Sequence, residues 1–125
     1  RGRGQIVGIA SLASYMAMPQ DYVYSASKVA LTYYLDGLRY DVERQGLQVT
    51  VICPGFIRTP MTEKPFGAKV ERLPFLLEVE PAVRRILRAV DQGKARDSFP
   101  WPLYALIRFV RHLPRPLLGK VLAGR

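Results

Sequence analysis

Two apolar runs of strand length bracket one long helical pattern, and that order leaves few architectures open. The first run, QIVGIAS at 5–11, is rich in isoleucine and ends in small residues, as a buried parallel strand does. The second, LQVTVIC at 47–53, is strongly β-branched. Between them, from about Tyr22 to Arg44, apolar residues recur at helical spacing, with Val29, Tyr33, Leu35, Leu38 and Val42 among them. Ala30, Leu31 and Tyr34 widen that surface beyond one stripe. The helix is therefore expected to be covered on two sides, by a sheet and by a second chain. Gly46 supplies the left-handed residue that ends it.

The remainder continues the alternation. PGFIRTPMTEKPFGAKVERLPF, at 54–75, carries four prolines and two glycines and reads as a long loop, of the kind that often forms a lid. PAVRRILRAVDQG, at 81–93, is a helix with Pro81 in its first turn and Gly93 past its end. Val83, Ile86, Leu87 and Val90 form its expected docking stripe. A short strand is expected within ARDSFP, 95–100, before an apolar and basic tail. Strand, helix, strand, helix, strand implies an α/β fold with a parallel sheet and helical crossovers. Ligands in such sheets bind beyond the carboxyl ends of the strands, where Ser11 and Pro54-Gly55 stand.

Charge and cysteine content exclude several classes of function. The formal net charge of +9 suits an anionic surface or ligand, but there is no zinc-binding spacing, aromatic ribonucleoprotein motif or long basic run, so nucleic acid is not the expected partner. One cysteine, Cys53, permits no internal disulfide and no cysteine-based zinc site, fits a reducing compartment, and reads as a small buried hydrophobe. One histidine, His112, argues against Ser–His–Asp or Cys–His catalysis. No apolar stretch is long and continuous enough to span a bilayer, so a cytoplasmic location is expected.

The heptapeptide YVYSASK, at 22–28, offers different chemistry. Residues four apart share a helix face, so Tyr24 and Lys28 can point into one site while Tyr22 and Lys28 cannot. An ammonium beside a phenol stabilises the phenolate, as a tyrosine acting as general acid or base requires. Ser11 precedes Tyr24 by thirteen residues, and PGFIRT closes the second strand at 54–59.

Tyr-x-x-x-Lys with a serine thirteen residues upstream and a later Pro-Gly-x-x-x-Thr resembles the classical short-chain dehydrogenase/reductase family. The resemblance is close over 4–62, loose over 63–98 and undiagnostic in the tail. It implies the C-terminal part of a Rossmann-like doubly wound parallel sheet, family strands five to seven with their helices. It also implies a carbonyl–alcohol oxidoreductase using NAD or NADP. Tyr24 would transfer the proton. Lys28 would assist it and bond the nicotinamide ribose. Ser11 would donate to the substrate oxygen. Pro54 and Gly55 would let the backbone approach the nicotinamide, with Ile57 and Thr59 holding its carboxamide. The family's glycine-rich phosphate cradle and its NAD/NADP discriminator have no counterpart here, so the 125 residues are expected to be inactive alone, as a C-terminal half whose first strand has an unpaired edge.

Each residue also has a plainer structural alternative. Ser11 can cap the strand end, Pro54-Gly55 can be a simple turn, and Thr59 can cap a helix before Pro60. Tyr22, Met16, Met18, Met61 and Phe66 can line a pocket or lid, or simply pack. The expected division is a family domain at 1–98, with a lid at about 56–75, and a basic apolar tail at 99–125. The expected substrate is a small hydrophobic alcohol or ketone, and the full-length protein is expected to be a homo-oligomer. The tail, with five Lys or Arg and no acid, either touches a membrane through Leu103, Leu106, Ile107 and Val110 or folds over the pocket or a partner subunit. The alternatives to the oxidoreductase are a non-catalytic remnant, a basic membrane-surface module, and an epimerase or dehydratase of the same family.

Overall fold

In a computed structural model, which describes residues 2–123, three parallel strands form one sheet in the order β1 (Gly4–Ile9), β2 (Leu47–Pro54), β3 (Arg96–Phe99). Arg1, Gly124 and Arg125, at the ends of the two expected segments, lie outside the described residues. The α/β class and parallel topology are those read from the sequence. Register runs from Gly4 opposite Leu47 to Ile9 opposite Ile52, and from Val51 opposite Arg96 to Pro54 opposite Phe99.

The middle strand organises the core. Successive side chains of β2 point to opposite faces. Val49, Val51 and Cys53 enter one cluster with Ala10, Leu12, Leu35 and Leu103, while Ile52 enters the other with Ala82, Ala89 and Phe99. Cys53 is indeed a buried small hydrophobe. The first cluster is covered by α1 (Tyr22–Val42) and α4 (Trp101–Arg111), the second by α3 (Val79–Asp91). Gln5 Nε2 donates to Thr50 Oγ1 at 2.9 Å and to the Val90 carbonyl at 3.0 Å, joining β1, β2 and α3.

Several expectations need correction. The first strand stops at Ile9, and Ser11 instead caps a 3-10 turn, Leu12–Ser14. On α1 the buried residues are Ser25, Thr32 and Leu35, while Tyr33, Tyr34 and Tyr40 face outward. On α3 the small residues Ala82 and Ala89, with Ile86, approach the sheet, and Val83 and Leu87 are exposed. Alanine lets the helix backbone come close, so the docking face is centred one residue away from the bulky stripe. The segment 54–75 is not loop throughout. Thr59 is the N-cap of α2 (Pro60–Phe66), and a 3-10 turn follows at Gly67–Arg72. Pro60 and Pro65 suggested irregular chain, yet proline is tolerated in a helix's first turn and Pro65 lies near the end. In the tail the chain breaks at 112–114, and α5 (Arg115–Ala123) follows. Leu103 of α4 is a core residue, with Tyr104 and Ile107 packed beside it.

Ion pairs fasten the helices to the sheet. Asp36 on α1 accepts from Arg39 at 2.8 Å and from Arg96 on β3 at 2.7 Å. Arg85 on α3 grips the buried Asp97 with two bonds of 3.0 and 3.1 Å. A methyl group added at Gly8 would fall 2.0 Å from Leu35 Cδ1. Gly8→Ala is therefore expected to cost about 1–3 kcal/mol by overpacking. Gly119→Ala, in an open helical position, is expected to stabilise by about 0.5–1 kcal/mol. Urea unfolding of both variants checks the pair.

Candidate functional site

The carboxyl ends of β1 and β2 lie side by side, joined where the Ala10 N–H donates to the Ile52 carbonyl at 2.7 Å. Ser11 stands two residues past the end of β1, and Pro54-Gly55 turns the chain at the end of β2. Helix α1 begins after the following loop and brings Tyr24 and Lys28 to this end. The Lys28 ammonium donates to the Ile9 carbonyl at 3.2 Å and lies 5.6 Å from the centre of the Tyr24 ring. The lysine thus links the end of β1 to the phenol, and an ammonium has two further donors to offer. Among the described residues no hydrogen bond holds the Tyr24 hydroxyl.

Ser11 Oγ accepts from the Ala13 N–H at 3.1 Å, which leaves its O–H as a donor. Ser14 Oγ donates to the Ser11 carbonyl at 2.6 Å and tightens the same turn. Capping of the 3-10 turn and a donor role for Ser11 are therefore compatible.

Gly55 has a packing reason to be glycine. An added methyl would fall 2.9 Å from Leu103 Cδ2, 3.1 Å from Pro100 Cδ and 3.2 Å from Leu12 Cδ1. Its N–H donates to the Phe99 carbonyl at 2.7 Å. Ile57 pairs with Leu77 in a parallel bridge, and Thr59 caps α2 while its N–H donates to Thr62 Oγ1 at 3.0 Å. Both residues thus have structural duties where the chain leaves β2.

Arg58 closes the base of the segment that follows. It bonds Glu78 at 2.9 Å and Glu71 at 2.7 Å, while its N–H donates to the Leu77 carbonyl at 2.9 Å. Its hydrogen bond to Glu71 is the main cause that holds that carboxyl below its usual range. Phe66 packs edge-on against Phe56, with ring centres 6.4 Å apart. Met61 is exposed.

A cavity of about 460 Å³ opens beside this arrangement. Ser14, Tyr15 and Met16 form one wall, Tyr22 and Ser25 of α1 another, and Arg111 reaches it from α4. Ser11, Tyr24 and Lys28 do not line it. At about 100° per residue, Tyr22, Ser25 and Val29 occupy a different side of α1 from Tyr24 and Lys28. Tyr22 and Met16 are therefore pocket residues, as one of their two readings had it. Tyr15 was missed. Its hydroxyl meets Ser98 Oγ at 2.7 Å and Arg96 at 3.2 Å, and its ring packs edge-on against Tyr104. Burial pushes the Tyr15 phenol up, against hydrogen bonds from Arg96 and Ser98 that pull it down. Neither Tyr15 nor Arg111 belongs to a local motif, and only the folding of distant segments reveals them.

Losing the clamp should loosen 59–76 without unfolding the sheet. Arg58→Gln is expected to speed hydrogen exchange and proteolysis within 60–75, leaving β1 and β2 protected. Because the Glu71 carboxyl is depressed in the folded chain, its contribution is complete above the ordinary carboxylate range and disappears as the pH falls through its folded value. Protection factors in 60–75, that is exchange corrected for its intrinsic pH dependence, should therefore fall on acidification in the parent and change little in Arg58→Gln.

Comparison with known proteins agrees with this architecture. A Myxococcus xanthus protein described as an uncharacterized oxidoreductase is 37% identical over 117 residues, covering 94% of this chain and 45% of its own length. A short chain dehydrogenase from Burkholderia cenocepacia, solved with NADP, superposes with a TM-score of 0.74 at 24% identity, over 95% of this chain and 47% of that one. One from Sphingobium yanoikuyae, solved with NADPH, gives 0.72 at 23%, over 91% and 47%. At these identities the two structures establish the fold alone. The chain spans about half the length of the curated relatives it matches. The family profile described as short chain dehydrogenase matches residues 1–69, which include the serine, the Tyr-x-x-x-Lys pair and the Pro-Gly turn. With that profile over more than half its length, the chain belongs to the short chain dehydrogenase family.

Proposed function

We propose that these residues serve an oxidoreductase that interconverts an alcohol and a carbonyl with NAD or NADP. The observation that carries this reading is the Lys28 ammonium, anchored on the end of β1 at 3.2 Å and 5.6 Å from the Tyr24 ring. Reduction of a carbonyl leaves an alkoxide that needs a proton. Tyr24 gives that proton, or removes it in the oxidative direction, and the neighbouring ammonium stabilises the phenolate that results. Ser11 directs its remaining O–H at the substrate oxygen, where charge develops.

The residues present fit the nicotinamide end of the cofactor. Lys28 has donors to spare for a ribose, and the Pro54-Gly55 turn lies across the strand ends from it, with Ile57 and Thr59 following. When bound, the nicotinamide supplies or accepts the hydride. No residue here is assigned to the phosphates, so the 125 residues alone are read as inactive. A small hydrophobic alcohol or ketone is the substrate class favoured, since Ala13, Met16, Ala17, Tyr22 and Val29 line the neighbouring cavity.

In the full-length protein, Tyr24→Phe is expected to lower turnover by about 10²–10⁴-fold, the usual share of a general acid or base. Thermal stability should be unchanged, because the hydroxyl holds nothing else. Steady-state kinetics within tenfold of the parent would overturn the assignment. Fluorescence titration of the isolated 125 residues is expected to show no saturable binding of NADH or NADPH at micromolar concentration.

A further inference from the structure

Helix α4 carries apolar side chains on two opposite sides, and among the described residues only one side is covered. Leu103, 5% exposed, enters the core with Tyr104 and Ile107 beside it. At about 100° per residue, Trp101, Ala105, Leu106 and Phe109 occupy the opposite side. There Trp101 is 75% exposed, Phe109 68% and Leu106 51%. This corrects the apolar side read from the sequence, since Leu103 and Ile107 are committed to the core and the free surface is a second one.

The charges carried by this segment itself have one sign. Residues 99–125 hold five Lys or Arg and no acid. Arg108 sits over the rings of Tyr104 and Tyr15 and donates to the Tyr104 hydroxyl at 2.9 Å, so an aromatic partner leaves its positive charge uncompensated. Arg111, Arg115 and Lys120 are exposed, and among the described residues none of them enters an ion pair. Asp36, Glu71, Glu78 and Asp97 are occupied by arginines elsewhere.

We propose that the outward side of α4, with the basic residues that follow it, docks on an anionic lipid surface. An exposed tryptophan and phenylalanine beside arginines suit the headgroup layer, where rings enter the acyl boundary and cations meet phosphates. The surface offers no hydrogen-bonding side chain except the indole, so it makes few directional demands on what covers it. A second copy is a poorer occupant, because a two-fold contact would set this acid-free segment against itself. The attachment is peripheral: among the described residues no helix is long and apolar enough to cross a membrane.

The test is flotation of the full-length protein with vesicles of phosphatidylcholine alone and of phosphatidylcholine with phosphatidylserine. The expected result is recovery with the anionic vesicles only, declining as salt is raised. Phe109→Glu is expected to abolish it. Arg115→Gln, which alters no apolar contact, should lower partitioning about fivefold, the value of one basic residue near an anionic surface. Melting temperature and dehydrogenase turnover on a soluble substrate should stay at parental values in both variants. Recovery that is absent, equal on neutral vesicles, or unchanged by Phe109→Glu overturns the proposal. So does a change of oligomer size in Phe109→Glu, which would assign the surface to a contact between copies.

Discussion

The fold rests on one strand being inaccessible from both sides. From Val49 to Pro54 every residue of β2 is buried, and Val51, Ile52 and Cys53 expose nothing. A strand in that position cannot satisfy its backbone with water, so each N–H and C=O must find a neighbouring strand. β1 and β3 supply those partners, and the helices follow because both faces of β2 need cover. Apolar burial at roughly 25 cal/mol per Å² drives the assembly, while the ladders make it specific. The ion pairs Arg96–Asp36 and Arg85–Asp97 add polar ties between α1, α3 and the sheet.

The sequence made the core strands and α1 legible because their signals are local. β-branched runs, a helical period and Gly46 each report on adjacent residues. The docking face of α3 is not legible from side-chain size: Ala82 and Ala89 contribute little apolar area but allow contact with β2. The helix at 60–66 was legible at its start, where Thr59 before Pro60 reads as a cap, while the prolines made the segment as a whole read as loop. The tail was legible only in part. α4 is apolar on both sides, and periodicity cannot say which side the core takes.

The candidate site was legible to the same extent. Tyr24 and Lys28 are related by helical spacing, so their proximity could be deduced before the fold. The anchoring of Lys28 on the Ile9 carbonyl could not, because it needs β1 and α1 to be docked. Tyr15, Arg96 and Arg111 come from three separate elements, and nothing in their immediate neighbours announces them. A site divided between strand ends and a helix start exposes to sequence reading only what one element carries.

Gly55 shows how closely the two ends of the chain are geared together. Leu12 follows the serine, Gly55 is the turn after β2, and Leu103 belongs to α4, yet all three meet within the space of one methyl group. Any shift of α4 must therefore be answered by the turn or by the 3-10 segment that Ser11 caps. Displacement of α4 at its outer surface would be felt at both strand ends, much as a lever moves its short arm. The chain has no slack there in which to absorb it.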